Sequence, residues 1–191
     1  SRSYDRYVRD EVFLPLGMND SWVGMPTEQF KAYGDRMGVM HNTEKGLRAL
    51  LGTAAEATCT VSVPGGAGKG PMHDLGKLYE TLLFKGTSPS TGNTILSPQT
   101  VEAITARHRV GMHDHTFGVV MDWGLGFIID SINYGGHCSP RTYGHGGAQS
   151  SHGLADPEKG VVMAVVCNGM PGGPRHYKRM DALSSAVYED L

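Results

Sequence analysis

The run Tyr143-Gly144-His145-Gly146-Gly147-Ala148 sets one imidazole into an otherwise bare stretch of backbone. A histidine can donate, accept and titrate near neutral pH. Two glycines directly after it let another molecule approach the chain closely. Taken alone, His145 reads more simply as a histidine in a tight strand turn that satisfies backbone groups. Other residues invite chemistry less well. His113-Asp114-His115, with His108 nearby, offers a His-x-His pair of the kind that ligates zinc, but no third ligand stands at a recognisable spacing. These residues read as a solvated connector. The loop Pro64–Pro71 carries Lys69 among glycines, but a phosphate loop needs Gly at position 63 and Ser or Thr at 70, where Val63 and Gly70 stand. Ser150 and Ser151 lie outside any Gly-x-Ser-x-Gly and have no Lys three residues on, so they read as strand-edge serines. Asp156-Pro157-Glu158 reads as a turn and not as a carboxylate pair for acid–base work.

The elements that must position His145 are visible in the periodicity. Tyr4, Tyr7, Val8, Glu11 and Val12 space a helix over 3–13, with Ser3 as N-cap and Pro15 as stop. Residues 22–60 are weakly patterned and are expected to form loops and short elements. Pro71 opens a helix that runs to about Gly86, with Met72, Leu75, Leu78, Tyr79, Leu82 and Leu83 on its buried face. Ser97-Pro98 starts another helix, to about His108, with Val101 and Ile104 inward. Gly124–Asp130 reads as a strand, followed by strands near 141–147, 150–156 and 161–167, the last two joined by the Asp156–Gly160 turn. Tyr177, Met180, Leu183, Val187, Tyr188 and Leu191 place one face of a final helix on the sheet. Strands joined by short turns pair antiparallel. With helices at both ends of the sequence, the class is α+β, an antiparallel sheet flanked by helices.

Composition narrows the function. The 191 residues are 39% hydrophobic, enough for a core, and the net charge of −2 argues against a phosphate-tracking nucleic-acid surface. No run approaches the ~18–20 apolar residues that span a bilayer. Cys59, Cys138 and Cys167 are an odd, widely spaced set that suits neither a disulfide framework nor a zinc knuckle. Ser1-Arg2-Ser3-Tyr4 opens directly into a helical pattern with no initiator methionine or signal peptide, so the start is expected to be a cut or processed end, and the compartment stays open, cytoplasmic or exported.

Three segments together resemble the serine β-lactamase and penicillin-binding-protein superfamily. His145-Gly146-Gly147 is similar to its third motif, which reads Lys-Thr-Gly or, in esterase-like members, His-Gly-Gly. Pro15-Leu16-Gly17-Met18 followed by a small polar residue is similar to a second signature, and Gly124-Leu125-Gly126-Phe127 to the strand before the third motif. The resemblance runs over nearly all 191 residues and corresponds to the C-terminal portion of one such domain. It implies acyl-enzyme chemistry on a small ester or amide, esterase favoured, with no cofactor. It implies a catalytic role for the His145 side chain and for Ala148, whose N–H would be one oxyanion donor. Gly146, Gly147 and Tyr143 would border the substrate. The family's Ser-x-x-Lys and Tyr-x-Asn or Tyr-x-Ser motifs occur nowhere in the sequence. The chain is therefore expected to be inactive alone and to work with a companion N-terminal fragment or as a homo-oligomer. The rival expectation is a truncated pseudoenzyme or binding protein on the same fold.

Overall fold

The computed structural model describes residues 2–147 and 149–191. Helix α1, Tyr4–Val8, runs straight into a π-helical turn over Arg9–Phe13. The wider turn is visible in the hydrogen bonds: the Leu14 N–H reaches back five residues to the Arg9 carbonyl at 3.0 Å, and Met18 to Phe13 at 2.9 Å. Short elements follow: β1 (Trp22–Val23), α2 (Thr27–Tyr33), β2 (Met40–Asn42), β3 (Arg48–Leu50), α3 (Glu56–Cys59) and β4 (Gly68–Lys69). Then come α4 (Met72–Leu83) and α5 (Pro98–Thr105), the latter capped by Ser97, whose hydroxyl accepts the Thr100 N–H at 3.1 Å. The second half brings β5 (His113–Asp114), β6 (Val119–Val120), β7 (Asp122–Trp123), β8 (Ile128–Ile129), β9 (Tyr143–Gly147), β10 (Ser151–Asp156), β11 (Val161–Val166), β12 (Gly169–Met170) and α6 (Gly173–Glu189).

The main sheet is a five-stranded antiparallel meander in the order β11-β10-β9-β8-β7. Its register sorts side chains by parity. Ile129, Tyr143, Ala155 and Val162 share one face and pack with Tyr79 and Leu82 of α4 and Val101 of α5. Ile128, Leu154 and Met163 share the other and pack with Tyr134 and with Tyr188 of α6. The sheet thus lies between α4–α5 and α6, and the α+β expectation is met.

The Pro15–Met18 turn is latched to α4 and does not stand free. Gly17 adopts φ +66, and its carbonyl accepts from Lys77 at 2.6 Å; Lys77 also meets Asp74 at 3.1 Å, and Asp74 accepts the Ser21 hydroxyl at 2.9 Å. From the π-helical turn, the Arg9 guanidinium donates to the carbonyls of Met18, Asn19 and Ser21 and lies 3.8 Å over the Trp22 ring.

Three expectations need correction. The strand over Gly124–Asp130 shrinks to Ile128–Ile129, because the Gly124 N–H closes a turn on the Phe127 carbonyl at 2.8 Å and Gly126 sits at φ +90. Helix α5 ends at Thr105, where Ala106 becomes extended and Arg107 is drawn to Asp122 and Asp130 at 2.6 and 2.7 Å. Helix α6 turns a different face inward. Its buried line is His176, Met180, Ser184 and Tyr188, while Tyr177, Leu183, Val187 and Leu191 are exposed, the last at 74%.

Asp156 does more than start a turn. Fully buried, it accepts the Ser139 N–H and hydroxyl at 2.8 and 2.7 Å, the Glu158 and Lys159 N–H groups at 3.0 and 3.1 Å, and the Tyr188 hydroxyl at 3.1 Å. Burial by itself pushes this carboxyl up, but the donors outweigh it and hold it below the usual carboxylate range. Removing the charge leaves those donors poorly matched. Asp156→Asn should lose roughly 2–3 kcal/mol at pH 7 in denaturant unfolding. Because the folded carboxyl is depressed, its contribution is present above about pH 4 and fades as pH falls through the folded pKa. The variant's deficit should therefore narrow towards pH 3, and a deficit that stays constant with pH would refute the assignment.

Candidate active site

The candidate site sits at the turn end of the β9–β10 hairpin. Gly144, Gly147 and Gly153 serve packing. A Cβ on Gly144 would collide with the Gly153 carbonyl, and one on Gly147 with the Ser151 hydroxyl. Position 153 pairs with His145 across the hairpin, and a Cβ there would overlap the Tyr79 ring. The ring therefore lies flat under the strands, in reach of a backbone hydrogen bond from His145; burial raises the Tyr79 hydroxyl's pKa and that bond pulls it partly back. Gly146, by contrast, is exposed and has open space on its side.

The His145 side chain is exposed, with Nδ1 2.5 Å from the Gly146 carbonyl. Two rings fence it: Trp123 at 5.6 Å and Phe117 at 6.4 Å between centroids. Asp114 holds both. It accepts the N–H groups of Thr116 and Phe117 at 2.9 and 3.0 Å and the Trp123 indole N–H at 3.1 Å, and it is paired with Arg109. Arg109 also lies 5.5 Å over the Trp123 ring. The Arg109 hydrogen bond, helped by those backbone donors, pulls the Asp114 carboxyl down to about 2.

The proposed site residues separate in space. His145, Gly146 and Gly147 come together on one exposed strand end. Tyr143 does not join them: at 3% exposure it packs in the core, its ring 5.4 Å from Phe127. Ala148 lies outside the described residues. Ser151 faces Gly147 across the hairpin, and the Ser150 N–H and hydroxyl both return to the Gly147 carbonyl at 2.9 and 3.1 Å. His113 and His115 form an edge-on pair 5.0 Å apart, and among the described residues no three His, Cys, Asp or Glu side chains gather to hold a metal. The residue that matters in that run is Asp114. An Asp with Thr two residues on, at the tip of a hairpin, is an Asx-turn signal that could have pointed to it.

The beta-lactamase family model matches residues 1–187. The chain belongs to the beta-lactamase family. An Escherichia coli (strain K12) protein provisionally named a D-alanyl-D-alanine carboxypeptidase is 25% identical over 178 residues, 86% of this chain and 39% of that protein. The crystal structure of a penicillin-binding protein homologue from Caulobacter crescentus superimposes at a TM-score of 0.78 with 25% identity, over 100% of this chain and 53% of that one. A family VIII carboxylesterase shares the fold at a TM-score of 0.73 and 24% identity, over 96% of this chain and 52% of that one. The chain thus spans about half the length of these structures and 39% of the curated relative.

In this beta-lactamase-family chain, parity places a second pair of histidines on the far face of the same hairpin. His152 and His176 line a cavity of about 570 Å³ between the hairpin and α6, together with Tyr134 and Met180. Burial, aided by His176 and His145, pushes the His152 imidazole down to about 4, so it is neutral at pH 7. No helix among the described residues is long and apolar enough to cross a membrane.

Two substitutions test how the site is held. Gly153→Ala should cost about 2 kcal/mol in unfolding experiments, because the Tyr79 ring must move; a neutral result would show that the ring has room. Asp114→Asn, in a Trp22→Phe background, should red-shift the Trp123 emission as the indole loses its anchor. With Asp114 intact, that emission should hold steady on acidification to about pH 3, since its carboxyl stays ionised there. An emission change centred between pH 4 and 5 would count against the anchor.

Proposed function

We propose that this chain forms the substrate wall of a serine hydrolase that cleaves a small ester or amide through an acyl-enzyme, with esters favoured. The observation that carries the reading is His145-Gly146-Gly147 on an exposed strand end beside Trp123 and Phe117, in a chain of the beta-lactamase family. In this reaction a serine oxygen attacks the carbonyl carbon, the alcohol or amine leaves, and water then releases the acid. The His145 imidazole would exchange a hydrogen bond with the substrate, and the Ala148 N–H would donate to the developing oxyanion. Gly146 and Gly147 would let the substrate lie against the strand. The two rings beside His145 give the mouth an apolar side suited to an acyl group. The activating serine, lysine and tyrosine are supplied by a companion segment, and this chain alone does not turn over. The names of the carboxypeptidase and carboxylesterase relatives support hydrolysis as the reaction class.

The test is intact-mass spectrometry of the purified protein after a fluorophosphonate probe. An adduct on a second, co-purifying chain supports the reading. No adduct and no second chain would leave a binding protein on the same fold and end the catalytic assignment. In the same assembly before any probe is added, His145→Ala should lower kcat/KM for a p-nitrophenyl ester by about 10²-fold, while a loss below twofold would remove His145 from the site.

A further inference from the structure

The turn that follows His145-Gly146-Gly147 is held in an unfavourable shape. Gln149 has φ +61, a left-handed backbone that a non-glycine residue adopts at a cost of roughly 1 kcal/mol. Such a conformation persists only where the surroundings impose it. Here the carbonyls on either side of the strained peptide are occupied. Gly147 O accepts the Ser150 N–H at 2.9 Å, and Ser150 O accepts the Cys167 N–H at 2.7 Å. The carbonyl of Gln149 itself is taken by a side chain from another element: Nη2 of Arg179, on α6, donates to it at 3.0 Å.

The same Nη2 donates to the Gly169 carbonyl at 2.9 Å, so one guanidinium joins the hairpin turn to the chain leaving β11. His176, one helical turn earlier and 97% buried, stands beside it with Nδ1 3.2 Å from Nη2. Both hydrogens of Nη2 serve the carbonyls, so Nδ1 shares one of them at the longer distance; a guanidinium can only donate, so the Nδ1 that faces it is the unprotonated nitrogen. Burial, followed by the Arg179 charge, lowers the pKa of His176, which keeps Nδ1 free to accept. Arg179 is thus held between a strained turn and a neutral histidine, its charge aimed at carbonyl oxygens with no carboxylate paired to it among the described residues.

We propose that Arg179 is a positioning residue: it fixes Gln149 and Ser150 from beneath and so sets the geometry of the strand end that carries His145. Its effect on rate rests on the acyl-transfer reading above; its effect on the turn does not. Helix α6 is therefore part of the site's support although its residues lie behind the sheet. The charge is needed because a carbonyl held by a charged donor is held about twice as strongly as by a neutral one.

The experiment is hydrogen exchange on the full chain with Arg179→Met, which keeps the aliphatic stem and removes every donor. The backbone amides of Ser150 and Cys167 report the turn directly, and both should exchange about tenfold faster. Amides of α4 and of Gly153–Asp156 should keep their rates. Arg179→Lys, able to reach one carbonyl at a time, should fall between. Unchanged exchange at Ser150 and Cys167 overturns the proposal, and so does equal acceleration throughout α6, β10 and β11, which would make Arg179 a general clamp. In the assembly free of probe, Arg179→Met should lower kcat at least fivefold with KM within twofold; localised exchange with unaltered kcat would sever the turn from catalysis and overturn that part. An unmodified assembly without turnover would sink the acyl-transfer reading, while the exchange rates would still decide what Arg179 does.

Discussion

The Tyr79 ring occupies the space that a side chain at position 153 would fill, and the end of the hairpin takes its shape from that exchange. One aromatic residue of α4 reaches under two strands, packs against Phe127 at 6.1 Å and offers its hydroxyl to the backbone at His145. The core and the candidate site are therefore parts of one packed layer. A strand end with exposed glycines would otherwise be loose, since glycine surrenders more backbone freedom than any other residue on folding. Tyr79 from one face and the α6 guanidinium from the other restrict it.

Around this layer the chain uses single charged groups to gather several backbone groups. Asp156 collects the loop after Tyr134, the β10–β11 turn and α6; Asp114 collects its own hairpin and Trp123; Arg9 collects three carbonyls after the Pro15–Met18 turn. Each junction is favoured because a buried polar group left unpaired is costly. In a chain of many short strands, these junctions stand where longer ladders would do the work in a larger sheet.

Much of this was legible from residue order. The β9, β10 and β11 strands, α4, the Ser97 cap and the family itself follow from turn residues, periodicity and short signatures. What stayed hidden depends on three-dimensional neighbours. Tyr143 and His145 share a face by the period-two rule, yet α4 and Phe127 cover only the first of them, so one is core and the other is site. On α6, the apolar residues suggested a face through Tyr177, Leu183 and Val187, but the sheet's α6 side offers His152 and the Tyr134 ring, which a line of His, Met, Ser and Tyr fits. Asp114 looked like a solvated connector residue and Asp156 like an ordinary turn acid because their extra partners come from residues up to 32 positions away. Arg179 gave no signal at all: one of several cations on a helix acquires meaning only once the turn beneath it is known to be strained.

The π-helical turn at Arg9–Phe13 bears on how this chain can change over time. Such a turn holds one residue more than an α-helix would. Losing one residue between 9 and 13 would restore the α-helical pitch with little rotation of the flanks, but it would shorten the path from Arg9 to the carbonyls it holds. Arg9 and the three carbonyls it holds lie on opposite sides of that joint. The first helix and the Pro15–Met18 turn are thus bound to a common length, in which single-residue insertions and deletions are disfavoured where point substitutions are tolerated.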